Sequence, residues 1–207
     1  MPTFRRDSTL PLLLLSLGLA LSTISVVLPP VVANNWYGTT GNGSPSSCSG
    51  GNRADANPHS VYFARYNSEI FYSVNVAMRE IANETAVAPQ VSSSQNSSTD
   101  IIVIGRHYDD YCGRDWAASG TSGGTFGLTT CNGANPSGRC GQHETRYNLN
   151  AMDDLGVAFD NWLVTHEQGH ALGLKHRNSE LGAMTGLSSG VYEFTSHDKA
   201  HVNGAAW

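Results

Sequence analysis

The sequence predicts a mixed α/β domain with a mostly parallel twisted sheet, an antiparallel edge strand, two long helices and a short C-terminal helix. Three observations carry that expectation. Residues 61–65 and 101–104 read as strands with a helical pattern between them, an arrangement typical of a parallel sheet with a covering helix. Two further strand patterns flank a turn-rich segment bounded by cysteines, which predicts a hairpin at a sheet edge. A second helical pattern follows and carries two histidines four residues apart.

The 207 residues suit one domain plus a targeting segment. Residues 10–33 contain no charge and follow the basic pair Arg5-Arg6, and Val31-Val32-Ala33 supplies a small residue for cleavage. Residues 1–33 therefore read as a secretory signal peptide; a single membrane anchor is the alternative, since the Leu-rich stretch 12–28 lies at the lower limit for spanning a bilayer. Residues 34–57, rich in Asn, Gly and Ser without apolar periodicity, predict an irregular arm tied down by Cys48. The domain proper is expected over 58–207.

Within it, 61–65 alternates as a short strand. Ile70, Phe71, Val74, Ala77, Met78 and Ile81 recur at helical spacing and predict a helix over 68–82. The Ser/Asn/Gln tract 90–98 reads as a loop, and Ile101-Ile102-Val103-Ile104 as a strand buried on both faces. Residues 124–130 and 143–149 predict the hairpin strands. Phe159, Trp162, Leu163, His166 and His170 place a helix over 155–172.

Four cysteines, Cys48, Cys112, Cys131 and Cys140, suit two disulfides in an oxidising compartment and allow three connectivities. The turn residues between Cys131 and Cys140 favour that pair, which leaves Cys48 to Cys112. The spacings lack the paired C-x2-C knuckles of a four-cysteine zinc site. Twelve basic residues against 17 acidic ones, a net charge of −5, give no electrostatic basis for a nucleic-acid or anionic-membrane partner.

The chemistry concentrates in His166-Glu167-Gln168-Gly169-His170-Ala171-Leu172-Gly173-Leu174-Lys175-His176. Histidines at i and i+4 lie about 40° apart around a helix and about 6 Å apart along it, so both rings can face one ion. Gly173 permits a helix-ending backbone, after which His176 approaches from another side. Three imidazoles then leave a fourth tetrahedral position open. Glu167 follows the first ligand and faces that position as the general base. Zinc acidifies water from a pKa of 15.7 towards about 7, and Glu167 takes the proton as the water attacks a peptide carbonyl, then passes it to the leaving amine. A chain of this composition produces the pattern by chance roughly 4 times in 100,000.

The string resembles the signature of matrixin-like metzincin zinc endopeptidases. The resemblance is tightest over 157–186, where Met184 stands eight residues past His176, at the place of the family's Met-turn beneath the zinc ligands. It implies a metzincin-type catalytic domain holding one catalytic Zn2+, acting on protein or peptide substrates as an extracellular monomer, with no membrane attachment once the signal peptide is removed. It also implies structural zinc or calcium ions. His107, Asp109 and His143 stand at matching places, while 124–127 lacks the histidine that completes such a zinc site. The family's propeptide is absent from the pattern. His59, His197 and His201 read as surface residues with no ligand partner. A second reading is a secreted binding or matrix protein that keeps the scaffold without turnover; the intact Glu167 argues against it.

Overall fold

β1 (Ser60–Arg65) and α1 (Ser68–Glu84) form where apolar spacing requires them. Asn67 caps α1, its side chain accepting from the Ile70 N–H at 2.9 Å. Ile70, Val74, Ala77 and Ile81 make a buried stripe at three- and four-residue spacing. Fully burying each Ile or Val contributes about 1.5–3 kcal/mol, which holds α1 against the sheet. The computed structural model describes residues 53–116, 124–135, 137–186 and 189–205. The expected signal peptide, and the arm through residue 52 with Cys48, lie outside them. Among the described residues no helix is long and apolar enough to cross a membrane.

The tract expected as a loop over 90–98 instead begins with β2 (Gln90–Ser92), paired in parallel with β1 from Ser60↔Gln90 to Tyr62↔Ser92. Backbone bonds hold it, because its side chains are mostly exposed and follow no apolar pattern. β3 (Ile101–Arg106) is the interior strand expected. β4 (Asp110–Tyr111) and β5 (Arg114–Asp115) form a small separate hairpin that turns at Cys112 and Gly113. Beside it Tyr108 and Trp116 pack with Leu128 in a cluster of their own.

The edge hairpin is longer than the pattern suggests. β6 (Gly127–Ala134) pairs antiparallel with β7 (Cys140–Asn148), so both cysteines lie within strands. Bulges between Cys131 and Ala134 absorb the irregular Asn-Gly sequence. The five-stranded sheet runs β2-β1-β3-β7-β6, parallel except for β6, which is an outermost strand. The mixed α/β architecture predicted from the sequence is the one observed. The end of the arm joins it: Ala54 is fully buried and bridges Cys140, and its N–H donates to the Ala171 carbonyl at 3.1 Å.

The helix expected over 155–172 is present as α3 (Val157–Ala171), and a short helix that the sequence pattern does not predict precedes it. This α2 (Leu149–Leu155), capped by Asn148, stops at Gly156, whose φ of 79° breaks the line before α3. α3 is buried on almost every side, including Asp160, Asn161, Thr165 and Gln168. It lies against α1, β6 and β7, so a simple apolar stripe understates its burial. Its apolar side chains complete the main core with Val61, Ile101, Val103 and Tyr147. Past its C-terminal end a second cluster gathers Ile81, Leu172, Leu174, Met184, Phe194 and Val202. Val202 belongs to α4 (Ser196–Asn203), the short C-terminal helix, whose Thr195 and Asp198 form a capping box.

Candidate metal centre and active site

α3 carries His166 and His170 on one face of its last turns, and the chain then reverses. Gly173 adopts φ 94°, its N–H donating to the His170 carbonyl and the Leu174 N–H to the Gly169 carbonyl, both at 3.0 Å. This is a Schellman stop, which strongly favours glycine at the left-handed position. It brings His176 back to the pair. The Nε2 atoms stand 3.0 Å apart for His166 and His176, 3.1 Å for His176 and His170, and 3.2 Å for His170 and His166.

The other ring nitrogens fix the chemistry. His166 Nδ1 lies 2.7 Å from the Ala183 carbonyl and His170 Nδ1 2.7 Å from the Leu174 carbonyl. A carbonyl only accepts, so each Nδ1 carries the hydrogen and each Nε2 turns a lone pair inward. Inward lone pairs at this separation repel one another unless a cation lies between them. Four ligands at about 2.0–2.1 Å in a tetrahedron stand about 3.3–3.4 Å apart, close to the observed triangle. Burial lowers all three imidazoles from their ordinary value, His170 to about 4, so the rings are neutral ligands near pH 7. The triad could hold a metal ion, and among the described residues no other His, Cys, Asp or Glu group of three converges in this way.

Glu167, only 4% exposed, projects towards β6. The Thr129 hydroxyl donates to its Oε2 at 2.7 Å and stands 2.8 Å from its carbonyl oxygen. A Cβ on Gly127 would meet Oε1 at 2.5 Å, so that strand position has to be bare for the carboxyl group to occupy its place. Burial pushes Glu167 up to about 7, against the opposing pull of the Thr129 hydrogen bond and the Arg114 charge. Gly127 and Thr129 belong to the site yet carry no motif. Their one sequence mark is the two-residue spacing that puts both on one face of a strand.

Met184 fills the space under α3. A Cβ on Gly169 would lie 2.3 Å from its Sδ, so the thioether fits directly against the bare turn next to His170. The segment that brings it there is held by the Arg177 N–H donating to the Met184 carbonyl and the Ala183 N–H to the Glu193 carbonyl, each at 2.8 Å. The same segment supplies the Ala183 carbonyl that orients His166.

Other expected residues fare differently. Cys131 and Cys140 form a disulfide with Cα atoms 5.7 Å apart. Cys112 is disulfide-bonded, and its expected partner Cys48 lies outside the described residues. His107, Asp109 and His143 do not assemble. His143 is wholly buried opposite Ile101, whereas His107 and Asp109 are exposed beyond Arg106, at the other end of β3. His107 Nδ1 instead meets Asn150 Oδ1 at 2.9 Å. His59, read as a surface residue, is 1% exposed, and burial lowers it to about 3. His197 and His201 do have partner spacing, with Nε2 atoms 3.0 Å apart on α4. No protein-family model matches the chain, and no curated protein matches it.

Proposed function

We propose that the chain is a secreted zinc-dependent endopeptidase of the matrixin-like metzincin type, cutting peptide bonds within proteins. The observation that carries this reading is the convergence of three neutral imidazoles beside a buried carboxyl group, on the side of an outermost strand. His166, His170 and His176 would hold the zinc. When bound, zinc supplies Lewis acidity, polarising the scissile carbonyl and acidifying water. Glu167 accepts the proton of the attacking water as oxygen bonds to the carbonyl carbon. It then delivers that proton to the amine nitrogen as the C–N bond breaks, so the carboxylate is regenerated. Thr129 and the bare backbone of Gly127 keep the carboxylate from swinging away. β6 is an outermost strand among the described residues, and its edge would offer backbone donors and acceptors to an extended peptide, lining the scissile bond along the site.

The Glu167→Gln variant tests this with zinc content and cleavage of unfolded casein measured side by side. One zinc per chain is expected in both proteins, with cleavage reduced about 10²–10⁴-fold in the variant and abolished in the wild type by a chelator. A folded wild type that binds no zinc, or a variant as active as the wild type, overturns the reading.

A further inference from the structure

α4 carries a second pair of histidines at i and i+4, His197 and His201. Their Nε2 atoms are 3.0 Å apart, and the ring planes lie 86° to one another with centroids 4.5 Å apart. Both rings are half-buried at the surface. Two nitrogens about 2.8–3.4 Å apart match the bite of adjacent ligands on one ion at about 2.0–2.1 Å. Imidazole pairs of this kind suit borderline transition metals over calcium or magnesium, which prefer oxygen. We infer that His197 and His201 form a second metal site, separate from the triad, that takes a borderline divalent cation such as Cu2+, Ni2+ or Zn2+ through both Nε2 atoms.

The surroundings define what kind of site this is. Asp198, between the two rings in sequence, is committed to the cap: its Oδ2 accepts from the Thr195 N–H at 3.2 Å and the Thr195 hydroxyl at 2.8 Å. It does not join the rings in a three-ligand group. Among the described residues the two rings are the ligands that converge here, and with water completing the shell the site would be exchangeable and prefer Cu2+ over Zn2+ by the usual affinity order. Burial, His197 and Arg177 favour the neutral form of His201, partly opposed by Asp198, and the neutral ring is the one that ligates. Without metal the rings can share one hydrogen between their Nε2 atoms; ligation requires that hydrogen to move to Nδ1.

Occupancy would fasten α4 across one turn. That helix is tied to the last residue of α1 by the Lys199–Glu84 ion pair at 2.5 Å and to the segment just after α1 by the Ala86 N–H donating to Asn203 Oδ1 at 2.6 Å. Its Val202 shares the cluster that contains Met184.

The test uses the full chain with its tight zinc in place, titrated with Cu2+ and followed by calorimetry and by electron paramagnetic resonance. The expected result is one further equivalent with a two-nitrogen signature. The single variants His197→Ala and His201→Ala should each weaken it about 10–100-fold while the tight zinc remains, which also shows that they fold. A wild type that takes up no further Cu2+ at 1 mM overturns the inference without recourse to any variant. So does a further equivalent that persists unchanged in the double variant, since the metal would then be held elsewhere. Neither outcome touches the proposed peptidase, whose zinc and cleavage are measured separately.

Discussion

Two helices of this protein present the same pair, histidines four residues apart with Nε2 atoms 3.2 Å apart on α3 and 3.0 Å apart on α4. Everything else about them differs. On α3 backbone carbonyls fix both tautomers, a Schellman stop returns a third ring, Met184 closes the space beneath, and a buried carboxyl group waits alongside. On α4 the nearest carboxylate is committed to a capping box. Spacing therefore makes at most half a metal site, and on the two proposals the surroundings would decide whether it becomes a centre for chemistry or a place where a metal comes and goes.

The sharpest way to break that comparison is to remove one ring from each helix. His166→Ala should weaken zinc on the order of 10³-fold, one ligand of three carrying roughly a third of a binding free energy of about 10–16 kcal/mol. His197→Ala should leave that zinc untouched, and competition with a fluorescent chelator reads both. Next comes the floor that α3 has and α4 lacks. Met184→Ala should destabilise the fold by about 2–4 kcal/mol in urea denaturation, because it opens a cavity in a fully buried cluster, while Met184→Leu should retain most of the stability.

A smaller effect isolates the base from the metal. Gly127→Val should displace Glu167 and reduce cleavage about 10–100-fold, with one zinc still bound by metal analysis. A variant as active as the wild type would show that the carboxyl group does not need its cradle.

The smallest effect sets the two ends of α3 against each other. Asp160 is 4% exposed, and burial, followed by Glu69 and Asp153, raises its carboxyl from 3.8 to about 7. The folded state thus keeps a proton that the unfolded chain has released, so this group's contribution to stability is present below about pH 4 and is lost as pH rises to about 7. Asp160→Asn should match the wild type at low pH and exceed it by on the order of 1–2 kcal/mol at pH 8, with zinc binding unchanged. A gap that does not widen with pH would refute the assignment.

What could be read from the sequence follows the range of the interactions. The stripe of α1, the apolar run of β3 and the histidine string are local periodicities, and each appears where its spacing places it. β2 could not be read, because Gln-Val-Ser is held by pairing with a strand thirty residues earlier in the chain and not by its own side chains. α2 could not be read either, because in its seven residues only Ala151 and Met152 are buried and they form no helical stripe. Gly127 and Thr129 are ordinary strand residues until α3 packs on them, and the burial of His59 and His143 likewise depends on the assembled sheet.

That division of range also sets an order of events. The ion cage is nearly self-contained: its rings span eleven residues, and its orienting carbonyls lie 4 and 17 positions away in the chain. The bond that steadies the base reaches across 38 positions to a strand that forms only when the hairpin closes. Short loops close at small entropic expense and long ones form late. On the proposed function, a nascent chain would capture its zinc early and remain harmless, and the ability to cut other proteins would appear only as the last long-range contact locks in.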